Sequence, residues 1–228
     1  MPLRALIVGD SHADWTPFAK ALASKVGALG YSVTPAGVGG TSARTWLKAE
    51  VCRPKKDKCV KVADLQKGGP WDLVLISLGT NGAANANKAG VDAGAQIAQR
   101  VKTLATKLAG KRTIWILPPT LRGNVKWYSP AALVPVYKHA GESGLELFDS
   151  RPVTEGVVTK KSGDGVHPGA AVGKAWADAV AKQVQNPDLG VTDPTTLGRL
   201  GDSTGPWGVI GLGLAAGVLV YWYSQRKD

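Results

Sequence analysis

Short apolar stretches alternate with longer amphipathic stretches through residues 1–185. The apolar stretches have the length of buried strands and lie at 3–8, 31–38, 71–79, 113–117 and 145–148. Helical spacing of apolar residues and helix stop signals predict helices at 15–30 (capped by Asp14), 46–51, 90–108, 133–139 and 170–184. This alternation predicts a doubly wound, mostly parallel sheet in one domain spanning 1–185.

The pattern changes after residue 185. Residues 186–206 contain three prolines among aspartate, threonine and glycine, a composition that predicts a linker. Residues 207–223 carry no charge, and as a helix they would span about 26 Å, within the range of transmembrane helices. Aromatic residues at both ends are typical of membrane interfaces. We predict a transmembrane helix at 207–223 and a charged tail at 224–228. An apolar tail buried in an oligomer or particle is the alternative.

Two further features of the carboxyl-terminal stretch concern partners and placement. Gly213 and Gly217 have the spacing that lets two membrane helices approach closely, which predicts self-association. Arg226 and Lys227 favour a cytoplasmic carboxyl end with the folded domain outside. No signal sequence precedes the first strand, which favours a cytoplasmic domain with a tail anchor. Both topologies therefore stay open, and placement in a virion or an envelope is compatible with either.

The net charge of +11 is high for 228 residues. A well-solvated surface accounts for it, and the functional alternative is attraction to a membrane surface, an acidic wall polymer or nucleic acid. Specific nucleic-acid binding is not expected, because no helix-turn-helix, zinc-finger or RNA-binding signature accompanies the charge.

The two cysteines, Cys52 and Cys59, enclose a basic segment, Arg-Pro-Lys-Lys-Asp-Lys. They can close a small disulfide ring, which would indicate an oxidising compartment, or remain free thiols in a reducing one. No second Cys/His pair supports a metal site, so none is expected.

Ser11 follows the first strand within Gly-Asp-Ser-His and lies on a tight strand-to-helix turn. Because open α/β sheets bind ligands at the carboxyl ends of their strands, this position suits a nucleophile. A helix cap or a phosphate-binding turn would use the same residue type. The rest of the chain must therefore supply the groups that a catalytic serine requires.

Three histidines are candidates for the base. His12 adjoins Ser11, and neighbouring side chains diverge, whereas His139 lies in a predicted helix away from the strand ends. His167 follows Asp164 by three residues on a glycine-containing turn, so the carboxylate can reach one ring nitrogen while the other faces the nucleophile. Oxyanion donors are available from the backbone N–H groups of Ser11 and Gly40 and from the amide of Asn81.

Four short blocks, at 9–12, 37–41, 79–81 and 164–167, resemble in order and context those of the SGNH, or GDSL, hydrolases. The resemblance covers residues 2–185. It implies a flavodoxin-like, three-layer α/β/α fold and serine ester hydrolysis without a metal or cofactor.

By this resemblance Ser11 is the nucleophile, His167 the base and Asp164 its orienting acid, while Gly40 and Asn81 complete the oxyanion hole with Ser11. Two residues depart from the family pattern. His12 stands where leucine is commonest, and Gly82 where aspartate often follows the asparagine.

The function expected from these features is an esterase acting on an acetylated carbohydrate or a lipid ester. The alternative is a non-catalytic binding or structural module of an envelope or viral particle that retains the same fold, since fold alone does not fix function.

Overall fold

The computed structural model describes residues 2–55, 57–121, 128–154 and 164–189. The predicted transmembrane helix at 207–223, the charged tail and most of the linker lie outside these residues. Among the helices within the four ranges, none combines the length and the apolar character needed to cross a membrane.

Seven strands and nine α-helices are found in the described ranges. In chain order they are β1 (Leu3–Gly9), α1 (Ser11–Asp14), α2 (Pro17–Ala28), β2 (Tyr31–Pro35), α3 (Ala43–Trp46), β3 (Glu50–Cys52), β4 (Cys59–Lys61), α4 (Val62–Lys67), β5 (Trp71–Ser77), α5 (Thr80–Ala89), α6 (Gly94–Leu108), β6 (Gly110–Ile116), α7 (Pro130–His139), β7 (Glu146–Phe148), α8 (Arg151–Thr154) and α9 (Ala170–Gln185). Two 3₁₀ turns lie at Ala140–Ser143 and Pro187–Leu189.

Five parallel strands form the main sheet in the order β2-β1-β5-β6-β7. The chain passes from β1 outward to β2 and then returns to add β5 on the other side of β1. The carboxyl ends of β1 and β5, where Gly9 pairs with Ser77, therefore flank the switch point of the topology. The predicted doubly wound parallel sheet is confirmed.

Two apolar cores cover the two faces of this sheet. Along β1, Leu6 and Val8 belong to one core and Ala5 and Ile7 to the other, as the alternation of side chains in a strand requires. Helices α2 and α9 cover the Ala5/Ile7 face, where the rings of Phe18 and Trp176 stack with centroids 3.7 Å apart. Helices α3 to α7 lie on the opposite face, which completes three layers.

The helix predicted at 15–30 is divided in the structure. The one-turn helix α1 ends at Asp14, and α2 begins at Pro17 with Thr16 as its cap, accepting the N–H of Ala19. A cap followed by proline at the first helical position is a strong start signal, and it outweighs the apolar spacing that extended the prediction. The prediction that Asp14 caps this helix is wrong, since its carboxylate has other partners.

The prediction of a helix at 46–51 is also wrong. The helix in this region is α3, which ends at Trp46, and β3 follows and pairs with β4 in an antiparallel hairpin. Cys52 and Cys59 lie opposite each other in that hairpin and are joined by a disulfide. Helices α4 and α5 were not predicted. Helix α5 consists of small and polar residues, so no apolar stripe indicates it in the sequence. Helix α6 begins at Gly94, four residues later than predicted.

Candidate active site

Ser11 is the first residue of α1, directly after β1. The side chain of Asp10 caps the helix by accepting the backbone N–H of His12 at 3.0 Å. The N–H of Asp10 donates to the carbonyl of Ser77 at 3.1 Å, so the turn is fastened to the neighbouring strand. These contacts hold Ser11 at the switch point of the sheet.

The structure brings Ser11, His167 and Asp164 into one hydrogen-bonded chain. The Oγ of Ser11 lies 2.8 Å from Nε2 of His167, and Nδ1 of His167 lies 2.7 Å from Oδ2 of Asp164. The other carboxylate oxygen of Asp164 accepts the backbone N–H groups of Val166 and His167, both at 2.9 Å. A carboxylate that accepts from Nδ1–H leaves Nε2 as the acceptor for the serine proton.

The pKa values of Asp164 and His167 follow from this geometry. Burial alone would raise the pKa of Asp164, but hydrogen bonds from the backbone and ring of His167 and from Val166 lower it overall. Burial, together with the electrostatic effect of the neighbouring His12, lowers the pKa of His167 despite its contact with Asp164. The lowered pKa favours the neutral imidazole, the form that can accept a proton.

Asn81 lies in the first turn of α5, directly after β5. Its Nδ2 donates to the carbonyl of Thr41 at 2.8 Å, and its Oδ1 accepts the hydroxyl of Tyr128 at 2.7 Å. These two contacts fix which way the amide points and leave one N–H of Nδ2 for another acceptor. Sequence reasoning missed Tyr128, because a tyrosine in an irregular stretch carries no local signal of this role.

Gly40 belongs to the loop between β2 and α3. Its φ of +76° lies in the left-handed region, and a Cβ there would contact the ring of Pro54 at 3.0 Å. The loop is tied to β1 by the N–H of Val38, which donates to Gly9 at 2.9 Å, and to α5 through Thr41. Gly40 thus lies in a loop held between the elements that carry Ser11 and Asn81.

A second attachment of this loop is Asp14. Its Oδ2 accepts the N–H of Gly39 at 2.8 Å and also bonds Arg53 at 2.7 Å, while Oδ1 meets Lys58 Nζ at 2.6 Å. Burial alone would raise the pKa of Asp14, but the hydrogen bonds from Lys58, Arg53 and the backbone lower it overall. The disulfide-closed hairpin is therefore anchored beside the glycine loop.

Trp15 forms an exposed aromatic wall of the site. Its side chain is 51% exposed, and its ring centroid lies 4.6 Å from that of His167. From its sequence Trp15 is predicted only as the start of a helix. An exposed tryptophan in an amphipathic pattern gives no signal that its ring lies against His167.

The structure also locates the other two histidines and Gly82. His12 does not contact the serine hydroxyl. It is buried, with Nδ1 3.1 Å from Asp10 and Nε2 3.0 Å from the carbonyl of Val166. His139 contacts Glu142 at the end of α7. Gly82 packs against Ile97 of α6, where a Cβ would approach within 3.1 Å, so this departure from the family pattern concerns helix packing.

Within the described residues, one group has the spacing of metal ligands: Glu50 with Cys52 and Cys59. Both sulfurs are used in the disulfide, so neither is available as a thiolate ligand.

No family model matches this sequence, and no curated protein matches it significantly. Solved structures do match. An aryl esterase from M. smegmatis aligns with a TM-score of 0.60 and 20% identity over 80% of this chain and 98% of its own. A catalytic mutant of an acetylxylan esterase from Geobacillus stearothermophilus aligns with a TM-score of 0.56 and 18% identity over 80% of this chain and 94% of its own. A carbohydrate acetylesterase from Sinorhizobium meliloti aligns with a TM-score of 0.57 and 19% identity over 80% of this chain and 98% of its own.

These similarities establish the fold. It is the parallel three-layer fold of SGNH-type esterases, a class that also includes a putative SGNH hydrolase from Slackia heliotrinireducens at a TM-score of 0.55.

Proposed function

We propose that the protein is a serine esterase. The observation that carries the proposal is the chain from Ser11 Oγ through His167 to Asp164, with heavy-atom distances of 2.8 Å and 2.7 Å. A serine hydroxyl is a weak nucleophile at neutral pH, and a neutral imidazole within hydrogen-bond reach is the usual means of activating it.

In the proposed reaction Ser11 Oγ attacks the ester carbonyl as its proton passes to Nε2 of His167. Asp164 stabilises the imidazolium that forms. The imidazolium then gives that proton to the leaving alcohol, and the acyl group remains on the serine. Water, deprotonated by His167, releases the acid and restores the hydroxyl.

The negative charge of each tetrahedral intermediate is proposed to be stabilised by three donors. They are the backbone N–H groups of Ser11 and Gly40 and the second N–H of Asn81 Nδ2. Thr41 and Tyr128 hold the amide of Asn81 before substrate arrives, so little reorganisation is needed during the reaction.

We infer that the substrate is an acetylated carbohydrate. Structural neighbours named as acetylxylan and carbohydrate acetylesterases support this choice. The exposed ring of Trp15 beside His167 supports it too, because it offers a flat apolar surface to the alcohol portion of an ester. Lipid esters are the competing class, and a panel of acetyl and long-acyl esters run beside acetylated polysaccharides separates the two.

We also propose that 207–223 anchors the domain at a membrane and that Gly213 and Gly217 mediate pairing. The uncharged character of that stretch supports this. Carbonate extraction of membranes should retain the full chain, whereas Leu214→Arg should release it. Release of the unaltered chain would refute the anchor.

Ser11→Ala tests the esterase directly. The wild-type chain should hydrolyse p-nitrophenyl acetate and react with a fluorophosphonate probe on the peptide containing Ser11, and the variant should do neither. Ser32→Ala, an exposed serine on β2, is the matched control and should retain both. A folded wild-type chain that neither hydrolyses esters nor takes the label would instead favour the non-catalytic module.

A further inference from the structure

His12 connects the two segments that carry the nucleophile and the base. It follows Ser11 in α1, and its Nε2 lies 3.0 Å from the carbonyl oxygen of Val166, the residue before His167. Its Nδ1 lies 3.1 Å from Oδ1 of Asp10, the residue before Ser11. The His12 side chain is buried, so these contacts are shielded from water.

Both partners of the His12 ring are acceptors. The Val166 carbonyl can only accept, so Nε2 must carry a hydrogen. Asp10 is buried and its Oδ1 already accepts the backbone N–H of His12. A carboxylate removed from water requires a compensating charge. A His12 ring protonated on both nitrogens satisfies both acceptors and supplies that charge.

The electrostatic surroundings agree with this protonation. Burial alone would lower the pKa of His12, but the charge and hydrogen bond of Asp10, the Val166 carbonyl and the charge of Asp164 raise it overall. The other groups against the ring are His167, with centroids 5.2 Å apart, and the edge of Trp176 from α9, at 5.7 Å.

We propose that His12 is a positioning residue for the base, a doubly donating imidazolium that ties the nucleophile turn to the loop carrying His167. It also places a positive charge one ring away from His167, which favours the neutral, proton-accepting form of that base. This inference rests on the proposed esterase activity, although its protonation can be tested without it.

The geometry explains why His12 replaces the leucine commonest at this position in the family that the sequence resembles. Leucine could fill the space but could not bond Val166 or compensate Asp10. The loop before α9 is thus held at two points. Asp164 accepts the N–H of Val166 within the loop, and His12 of α1 bonds the Val166 carbonyl.

The first experiment is activity-independent. ¹⁵N NMR of the full chain with labelled histidine resolves three imidazoles, assigned by their loss in His139→Gln and His167→Gln. At neutral pH both nitrogens of His12 should show protonated shifts. A bare ring nitrogen on His12 at neutral pH would overturn the proposal, whether or not the chain hydrolyses esters.

The second experiment is the pH profile of kcat/KM in His12→Leu and His12→Gln. Loss of the His12 contacts with Asp10 and Val166 should lower kcat/KM by about 10²-fold in the leucine variant, the typical cost of displacing a catalytic group by about 1 Å. Glutamine, which can still donate to Val166, should lose less. In both, the acid limb should move to higher pH because the charge that lowers the pKa of His167 is gone. Loss of activity with an unmoved acid limb would indicate packing alone and would refute the electrostatic role.

In the two His12 variants the charge of Asp10 is no longer balanced, and this charge also raises the pKa of His167. Asp10→Asn/His12→Gln removes both charges, and its acid limb should still lie above that of the wild type, since His12 affects the His167 pKa more than Asp10 does. His139→Gln is the matched control, with an unchanged profile. An acid limb at the wild-type position in the double variant would contradict the proposal, and thermal unfolding of each variant verifies that it is folded.

Discussion

The carboxylate of Asp14 accepts the backbone N–H of Gly39 at 2.8 Å. Because the same carboxylate bonds Arg53 and Lys58, it joins the glycine loop of the site to the disulfide-closed hairpin. The hairpin contributes Pro54, which lies against Gly40. A change in the hairpin can therefore reach the glycine loop through Asp14 and through Pro54.

Asp14→Asn should lower the free energy of unfolding by about 1–2 kcal/mol at neutral pH. The loss is moderate because Arg53 and Lys58 remain 29% and 38% exposed, so water screens the ion pairs. Folding lowers the pKa of Asp14, so its stabilisation is present above the ordinary aspartate pKa. It disappears as the pH falls through the lowered value. Urea unfolding at neutral and acid pH should thus show a difference between wild type and variant that shrinks in acid.

The control for that experiment is Asp57→Asn, which removes an exposed partner of Arg53 without touching the glycine loop. Its unfolding free energy should stay within about 0.5 kcal/mol of the wild type. Equal losses in the two variants would show that Asp14 has no special role.

Asp164→Asn should reduce kcat by about 10⁴-fold with little change in fold. The amide leaves the imidazole of His167 without its carboxylate partner and no longer holds the ring tautomer that activates Ser11. Steady-state hydrolysis of p-nitrophenyl acetate measures the effect. Asp178→Asn, at an exposed ion pair with Lys25, should remain fully active. Retention of more than a tenth of the activity in Asp164→Asn would argue against this acid.

The acid limb of kcat/KM in the wild type should lie below the ordinary histidine range. Burial and the charge of His12 lower the pKa of His167, so the base stays neutral to a lower pH. Activity is lost only where that base becomes protonated. The measurement is initial rates across the acid range with an ester whose own hydrolysis is slow there, and a limb at or above the ordinary value would contradict the assignment.

Tyr128→Phe should lower kcat about tenfold while leaving KM nearly unchanged. The variant loses the hydroxyl that orients Asn81, and a misaligned donor weakens stabilisation of the intermediate more than binding of the ester. Tyr137→Phe is the matched control, because its hydroxyl bonds the carbonyl of Pro118 in the core. That control should lose stability but keep kcat.

Trp15→Ala should raise KM for acetylated carbohydrate more than it lowers kcat. Removal of the exposed wall takes away contact area for the alcohol portion while the chain from Ser11 to Asp164 remains. Trp15→Phe should restore part of the affinity. Val91→Ala, an exposed apolar residue elsewhere, should behave like the wild type. A fall in kcat alone would show that Trp15 positions His167 instead.

The sheet was predictable because β1, β5 and the second half of β6 are buried on both faces and therefore form apolar runs in the sequence. The segments around 46–51 and 80–89 were not, because their structure depends on contacts with residues outside each segment. The β3–β4 hairpin is held by pairing and a disulfide, and α5 by its packing on α7. Local propensity carries little information about either.

The candidate site was predictable where a residue type coincides with a strand end, as at Ser11 and Asn81, and where a short spacing joins two residue types, as at Asp164 and His167. The structure adds residues whose roles arise only from tertiary contacts. Tyr128 reaches Asn81 across 47 positions of sequence. His12 reaches Val166 across 154 positions. No spacing rule relates residues so far apart, so neither contact could be inferred from the sequence.

Ser11 and His167 are separated by 156 positions, and helix α9 follows the base. On the ribosome, the serine turn is therefore synthesised at the beginning of the domain and its base near the end. In the proposed esterase, Ser11 therefore gains its base only as the last helix of the core is synthesised and Trp176 stacks on Phe18.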